Sequence, residues 1–190
     1  MNASLKLNLG CGRFPLPGHV NVDISLASGP DLVCDLDRFP YPLASERFER
    51  IDASHVLEHL DHPLEAMREL HRLLCPGGEL CVKVPHFSRG FTHPDHKRGF
   101  DVSFPLFFDE TMSPWYTGTP FFLKRLRLRW NAQPYLKRYV AGRVSRFLAW
   151  AVGCVIDRIA NLAPMVFSRL FSYWVGGFEE IEFVFVRRGA

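Results

Sequence analysis

The chain lacks any cysteine pattern that would frame a small secreted domain or hold a structural zinc. Its five cysteines, Cys11, Cys34, Cys75, Cys81 and Cys154, are odd in number and scattered, with no Cys-x-x-Cys. They read as reduced thiols inside a cell, with Cys34, Cys81 and Cys154 as small core residues. The opening MNASLKLNLG has no apolar run long enough for the core of a signal peptide. The expectation is a cytoplasmic protein. Near the carboxy terminus, Asp157 and Arg158 interrupt the apolar run and Pro164 follows, which argues against a transmembrane span. No Ser-His-Asp arrangement and no recognised RNA- or DNA-binding motif is present, so nucleic acid is the least favoured partner. Acid is missing too: no Asp or Glu occurs between Glu110 and Asp157.

Glycine, by contrast, is placed with purpose. The segment Leu5 to Asp23 is an apolar strand that runs into Gly10-Cys11-Gly12, followed by a short strand, Val20 to Val22, that ends on Asp23. Glycines after a strand let backbone approach a ligand, and a carboxylate at the tip of the next parallel strand reaches a ribose diol. This is a nucleoside-binding edge. The dinucleotide fingerprint puts a third glycine three residues after the second, and here that position is Pro15. Asp23 comes 13 residues after Gly10, whereas that fingerprint leaves about 20 before its acid. With Pro15, Pro17 and Gly18 in the gap, no full helix fits between Gly12 and Val20. A nicotinamide oxidoreductase is disfavoured on these grounds.

The 190 residues are 47% hydrophobic and 23% charged, which fits one well-buried domain, residues 1–190. Charge divides it: residues 1–120 carry 11 Lys/Arg against 16 Asp/Glu, and residues 121–190 carry 12 against 4. Along the first part, strand and helix alternate. Leu32 to Cys34 is a short strand tipped by Asp35, and Phe48 to Ala53 is another. Pro63 then opens a helix whose Leu64, Met67, Leu70, Leu73 and Leu74 recur at helical spacing until Pro76-Gly77-Gly78. Leu80 to Val84 is a strong strand, so strand, helix, strand over 48–84 is a right-handed crossover. Phe121 to Trp130 and Ile181 to Val186 are extended and pair as an antiparallel edge. The predicted fold is therefore α/β, a Rossmann-like, mainly parallel sheet with an antiparallel C-terminal strand. Residues 1–120 form the cofactor-binding core, and a helical excursion over about 131–176 precedes the last strand.

In this order and spacing, LNLGCG, the Asp23 strand tip, DLVCDLDRFPYP, FERIDASHVLEHL and LHRLLCPGGELCVKVPH resemble the class I S-adenosylmethionine-dependent methyltransferases. Within that superfamily they resemble the small proteins with LNLGCG, NVDIS and SHVLEH segments. The likeness is dense over about residues 5–88. It implies that Gly10, Cys11 and Gly12 line the methionine part of S-adenosylmethionine, that Asp23 binds the ribose hydroxyls, and that Ile24 presses on the adenine. Asp35 and Leu36 would meet the adenine's amino edge, and Ser54 and His55 would close the floor near the sulfonium. Asn8 stands where many members place an acid for the methionine ammonium; its side-chain carbonyl accepts without full charge.

Methyl transfer from a sulfonium needs an acceptor atom held about 3 Å from the methyl and, for a hydroxyl, removal of a proton. The histidines after the fifth strand, His86, His93 and His96, are the candidate bases. The acceptor is expected to be a small molecule or a sugar- or lipid-linked one. No metal is expected. His55 and His59, four apart in HVLEH, lack the His-Glu-x-x-His order and read as capping and packing a helix start, and Glu58 as a supporting group or a first-turn acid. Asp95, His93 and His96 read as an exposed polar loop before a cation site.

From Leu136 onward, Val140, Val144, Phe147, Leu148, Ala151 and Val155 mark an apolar stripe flanked by basic residues, with Tyr135, Tyr139 and Trp150 among them. This is an amphipathic basic helix. Its readings are a cap over the substrate pocket, a grip on an anionic acceptor, or a foot on an anionic membrane surface that would make the protein peripheral. A noncatalytic methyltransferase-like protein that docks a partner or membrane through this helix is the competing function; oligomeric state is left open.

Overall fold

The computed structural model describes residues 5–112, 114–133, 137–139 and 141–189. Tyr135, Leu136 and Val140 of the basic segment lie outside the described residues. Seven strands form one sheet: β1 (Leu5–Leu9), β2 (Val20–Asp23), β3 (Leu32–Val33), β4 (Phe48–Ser54), β5 (Leu74–Pro85), β6 (Phe121–Arg129) and β7 (Glu180–Arg187). Their spatial order is β3-β2-β1-β4-β5-β7-β6. Strands β1 to β5 pair in parallel, and β7 runs antiparallel between β5 and β6. The expected Rossmann-like sheet, with its reversed last strand, is the architecture found. From β1 the chain steps to β2 and β3 on one side and then to β4 on the other, which makes the carboxyl end of β1 a topological switch point where ligands bind.

The strands follow from their sequences. Leu7 and Leu9 are fully buried and Asn8 nearly so, as a central strand covered on both faces requires. Helix α1 (Pro63–Leu73) starts on Pro63 at its first turn and buries Ala66, Met67, Leu70 and Leu73, with His71 and Arg72 in its last turn against the dipole. Leu64 is only partly buried. The chain turns extended at once, since β5 begins at Leu74, ahead of the Pro-Gly-Gly expected to stop the helix. A register shift between Phe48 and Arg50 on β4 absorbs the extra residues. Gly78 fits there because a Cβ would lie 2.9 Å from the Cys75 carbonyl and 3.1 Å from that of Phe48. The imperfect alternation of β6 has a similar cause: its pairing with β7 shifts between Leu123 and Arg125.

Among the described residues, the crossovers joining β1, β2 and β3 contain no α-helix; a single 3₁₀ turn, Leu26–Ser28, lies between β2 and β3. Between β6 and β7 the chain leaves the sheet through α2 (Arg143–Ala160) and the short turns Pro164–Phe171. Only Gly153 and Ala160 of α2 are buried. The helix docks through its small and polar residues. The Trp130 N–H donates to Asp157 (2.7 Å), and Asn161 both accepts from the Leu128 N–H (2.8 Å) and donates to the Leu128 carbonyl (2.9 Å). The apolar stripe therefore faces out, with Val144 74%, Phe147 62% and Val155 54% exposed. Cys154 is half-buried on this helix rather than a core residue.

Candidate functional site

At the switch point the glycine turn is built as its sequence demands. Gly10 and Gly12 take φ of +64° and +48°, and a Cβ at Gly10 would stand 2.4 Å from Val56 Cγ2. At Gly12 nothing lies within 4 Å of the same position, so bare backbone faces open space. The Gly12 N–H donates to Asp23 Oδ2 (2.8 Å) and the Ser25 N–H to Oδ1 (2.8 Å), which fastens the turn to the tip of β2. Loop 13–19, standing where a crossover helix would otherwise be, is held by Asn21. Its Oδ1 accepts from the Leu16 N–H (2.8 Å) and from Asn8 Nδ2 (2.9 Å). The second Asn8 hydrogen goes to the Phe14 carbonyl (3.3 Å), leaving Asn8 Oδ1 as the acceptor end of the amide.

Asn8, Gly10, Cys11, Gly12, Ser54 and His55 line one cleft of about 450 Å³, a size suited to a nucleoside-sized ligand. Six of the residues singled out in the sequence thus come together. Asp23 stands beside this cleft through its bond to Gly12. Ile24 is 65% exposed on the same strand end. Asp35 pairs with Arg38 (3.1 Å) and caps the Asp37 N–H (3.1 Å). Leu36 is in the hydrophobic core, and its carbonyl accepts from the Tyr41 hydroxyl (2.9 Å).

His55 stands at the junction of this cleft and a second hollow of about 390 Å³ lined by His59, Arg89, His93, His96 and Glu179. It adopts φ +56°, an unusual conformation for a side chain-bearing residue. That turn aims Nδ1 at Glu58 (3.0 Å) and Nε2 at Glu180 (2.9 Å). Burial by itself would lower its pKa, but the hydrogen bonds to Glu180 and Glu58 outweigh it and raise the imidazole to about 9. His55 is therefore charged at neutral pH, and both its nitrogens donate. It does not sit on a helix with His59: residues 55–60 form turns, and α1 starts only at Pro63.

His93 and His96 belong to the second hollow. His86 does not: it is fully buried, bonded to Ser88 Oγ (2.7 Å) and Ser168 Oγ (2.8 Å). Burial lowers its pKa to about 4. Sequence reasoning gave no ligand role to Glu58, His59, Arg89, Glu179 or Glu180. The signal available was HVLEH itself, whose acid and second histidine turn inward once the segment is a turn and not a helix.

A 3-2-1-4-5-7-6 sheet with a reversed seventh strand, a glycine turn after β1 and an acid at the tip of β2 make up the Rossmann-like fold in its methyltransferase form. Residues 20–82 match the model of the family described as methyltransferase domain. That match spans about a third of the chain and coincides with the stretch whose motifs resemble the class I S-adenosylmethionine-dependent methyltransferases. It is 40% identical over 53 residues to the ubiquinone/menaquinone biosynthesis C-methyltransferase UbiE of Bordetella parapertussis, a match covering 28% of this chain and 20% of that protein. The chain thus spans about a fifth of the length of the curated relatives it matches. Among solved structures, a SAM-dependent methyltransferase from Archaeoglobus fulgidus superposes with a TM-score of 0.58 at 15% identity, covering 97% of this chain and 86% of that one. The [4+2]-cyclase SpnF gives 0.56 at 18% identity, over 100% and 77%. The geranyl diphosphate C-methyltransferase of Streptomyces coelicolor gives 0.53 at 12%, over 97% and 71%. These structural likenesses establish the fold.

Proposed function

We propose that the protein is an S-adenosylmethionine-dependent methyltransferase acting on a small, sugar-linked or lipid-linked acceptor that carries an anionic group. The observation that carries this reading is the continuity of the site: His55 lines both the glycine-turn cleft and the histidine-lined hollow. The cofactor fits the first. Bare backbone at Gly12 offers its open face to an amino-acid end, Asn8 Oδ1 accepts from an ammonium, Asp23 reaches a ribose diol, and the exposed Ile24 offers an apolar face to a base. When bound, it supplies a methyl group already activated on a sulfonium, so no nucleophilic side chain is needed.

The second hollow holds the acceptor. Arg89 and Lys137 line it, each paired with Glu179 (2.9 and 2.7 Å), which positions two cations for an anionic group without burying them unpaired. His59 and His96 line the wall of the hollow beside which an acceptor hydroxyl must lose its proton. His55, already protonated, donates to both carboxylates and fixes the wall between the two ligands. His93 accepts the Asp95 N–H at Nδ1 (3.3 Å), so its lone pair is engaged.

Calorimetric titration with S-adenosylmethionine and S-adenosylhomocysteine tests the reading. Asp23→Ala is expected to abolish binding and turnover together, with a modest fall in melting temperature from the lost bonds to the Gly12 and Ser25 N–H groups; unchanged binding would place the cofactor elsewhere and overturn it.

A second observation supports docking of this enzyme on an anionic membrane surface, at the cytoplasmic side, as a peripheral protein. On α2 and the segment after it, Phe147, Leu148, Trp150, Leu162 and Trp174 are each more than half exposed, and Arg143 and Arg158 flank them. Exposed aromatics beside arginines suit the headgroup region. No single described helix is long and apolar enough to cross a membrane, although α2 and the Pro164–Phe171 segment pass that test together as a pair bent by 114°.

A further inference from the structure

Two histidines and a buried glutamate meet at the far end of the cleft in a way that methyl transfer by itself does not demand. One carboxylate oxygen of Glu58 and one ring nitrogen each of His59 and His96 lie within 4.8 Å of one another. We propose that Glu58, His59 and His96 bind a divalent transition-metal cation.

The hydrogen bonds around them prepare that site. His59 Nδ1 meets the Asp95 carbonyl (3.2 Å) and His96 Nδ1 meets the Gly90 carbonyl (2.6 Å). A carbonyl can only accept, so each Nδ1 carries the hydrogen, and Nε2 is the nitrogen left to each ring for a ligand. Backbone carbonyls fix metal-binding imidazoles in this same manner. His96 Nε2 stands 3.9 Å from Glu58 Oε1. The Glu58 side chain is completely buried, with Oε1 on His55 and Oε2 without a hydrogen-bond partner among the described residues. A buried carboxylate oxygen left unmatched costs about 1–3 kcal/mol or more, so this carboxylate has acceptor capacity that its protein neighbours do not fill.

The frame is stiff where it needs to be. The Lys97 N–H donates to the Glu58 carbonyl (2.9 Å), tying the loop that carries His96 to the turn that carries Glu58 and His59. Gly90 packs so closely that a Cβ there would stand 2.7 Å from the Gly99 Cα.

Two imidazoles and one carboxylate suit Zn²⁺, Fe²⁺ or Mn²⁺; Ca²⁺ and Mg²⁺ prefer all-oxygen sets. Metal–ligand bonds of about 2.0–2.2 Å require these atoms to close in by roughly an ångström, within the reach of side-chain rotation. Three protein ligands leave a position open toward the hollow that holds Arg89 and Lys137. An acceptor hydroxyl placed there would lose its proton more readily to solvent, and the O–CH₃ bond would form as the S–CH₃ bond of the sulfonium breaks and the cofactor leaves as a thioether. That use of the ion rests on the methyl-transfer reading; the binding does not.

Titration of chelator-treated, metal-free full-length protein with Zn²⁺ by calorimetry, and with Co²⁺ by visible absorption, tests the site. The expected result is one equivalent bound, with affinity reduced at least about 100-fold in His59→Ala and in His96→Ala, since even outer-shell partners are worth about 10–100-fold. The melting temperatures of the metal-free variants should match the parent. These histidines carry the test because Glu58→Gln also disturbs His55. Failure of the parent to bind either ion, or binding that survives in both variants, overturns the proposal. S-adenosylhomocysteine titrated into the same samples separates the two readings: cofactor binding without metal binding defeats only the metal site, and metal binding without cofactor binding defeats only the methyltransferase.

Discussion

His86 looked like a catalytic base from its place after a strand, and its surroundings give it different work. Ser168 Oγ donates to Asp101 (2.9 Å), so His86 Nε2–H must donate to Ser168, and Nδ1 accepts from Ser88. The neutral ring is fully satisfied, and a second proton would break the Ser88 contacts. Because its pKa falls from 6.5 to about 4 on folding, the unfolded chain takes up the proton first. Stability is expected to decline as pH drops from about 6.5 to 4, by roughly 3 kcal/mol from this group. Below that, Asp101, depressed to about 2 despite burial by its bonds to Arg169, Ser103 and Ser168, adds a further loss. Denaturant unfolding across this range checks it, and His86→Gln should flatten the upper part of the slope. At the glycine turn, Gly10→Ala combines a positive φ with a 2.4 Å clash against Val56. A loss of about 2 kcal/mol or more is expected, read as a lowered denaturation midpoint.

At the scale of the element, α2 is held by Asp157, Asn161 and the close approach at Gly153, where a Cβ would lie 3.0 Å from Asn131. Its aromatic residues contribute little to that docking. Phe147→Glu with Trp150→Glu should therefore leave the melting temperature nearly unchanged while abolishing co-sedimentation with phosphatidylserine vesicles; retained sedimentation would count against the membrane face. The helix was legible in sequence as amphipathic, but which way its stripe faced was not. Periodicity reports that apolar residues share a side and carries no information on whether the sheet covers that side. The same limit applies to HVLEH. An i, i+4 pair of histidines suggests a helix, whereas the φ of +56° at His55 is selected by two carboxylates, one of them 125 positions away.

Across the whole molecule, the mainly parallel sheet with its reversed last strand could be read from the alternation of apolar runs, and the glycine turn from its spacing, whereas the order of the strands could not. The glycine turn and the loop histidines His93 and His96 were legible; Arg89 and the acids that β7 brings in, Glu179 and Glu180, were not, because those contacts depend on register. Glu180 shows why. β7 sets it opposite Pro85 on β5, within reach of His55 on the far side of that strand's tip. Glu180→Gln removes one of the two groups that raise this imidazole, so its titration, followed by NMR, should move down from about 9, and cofactor turnover should fall with it. A fold shared with the SpnF cyclase defines no reaction by itself, so the two ligand titrations weigh more than further structural likeness.

The distribution of indole rings has a practical consequence. Trp150 and Trp174 stand 59% and 82% exposed on the outward helical segment, while none of the residues walling the cofactor cleft is a tryptophan. With Trp115 and Trp130 each replaced by Phe, the remaining emission becomes a lamp for one surface: it should shift to the blue when vesicles cover that segment and stay nearly silent when a sulfonium ligand enters its groove.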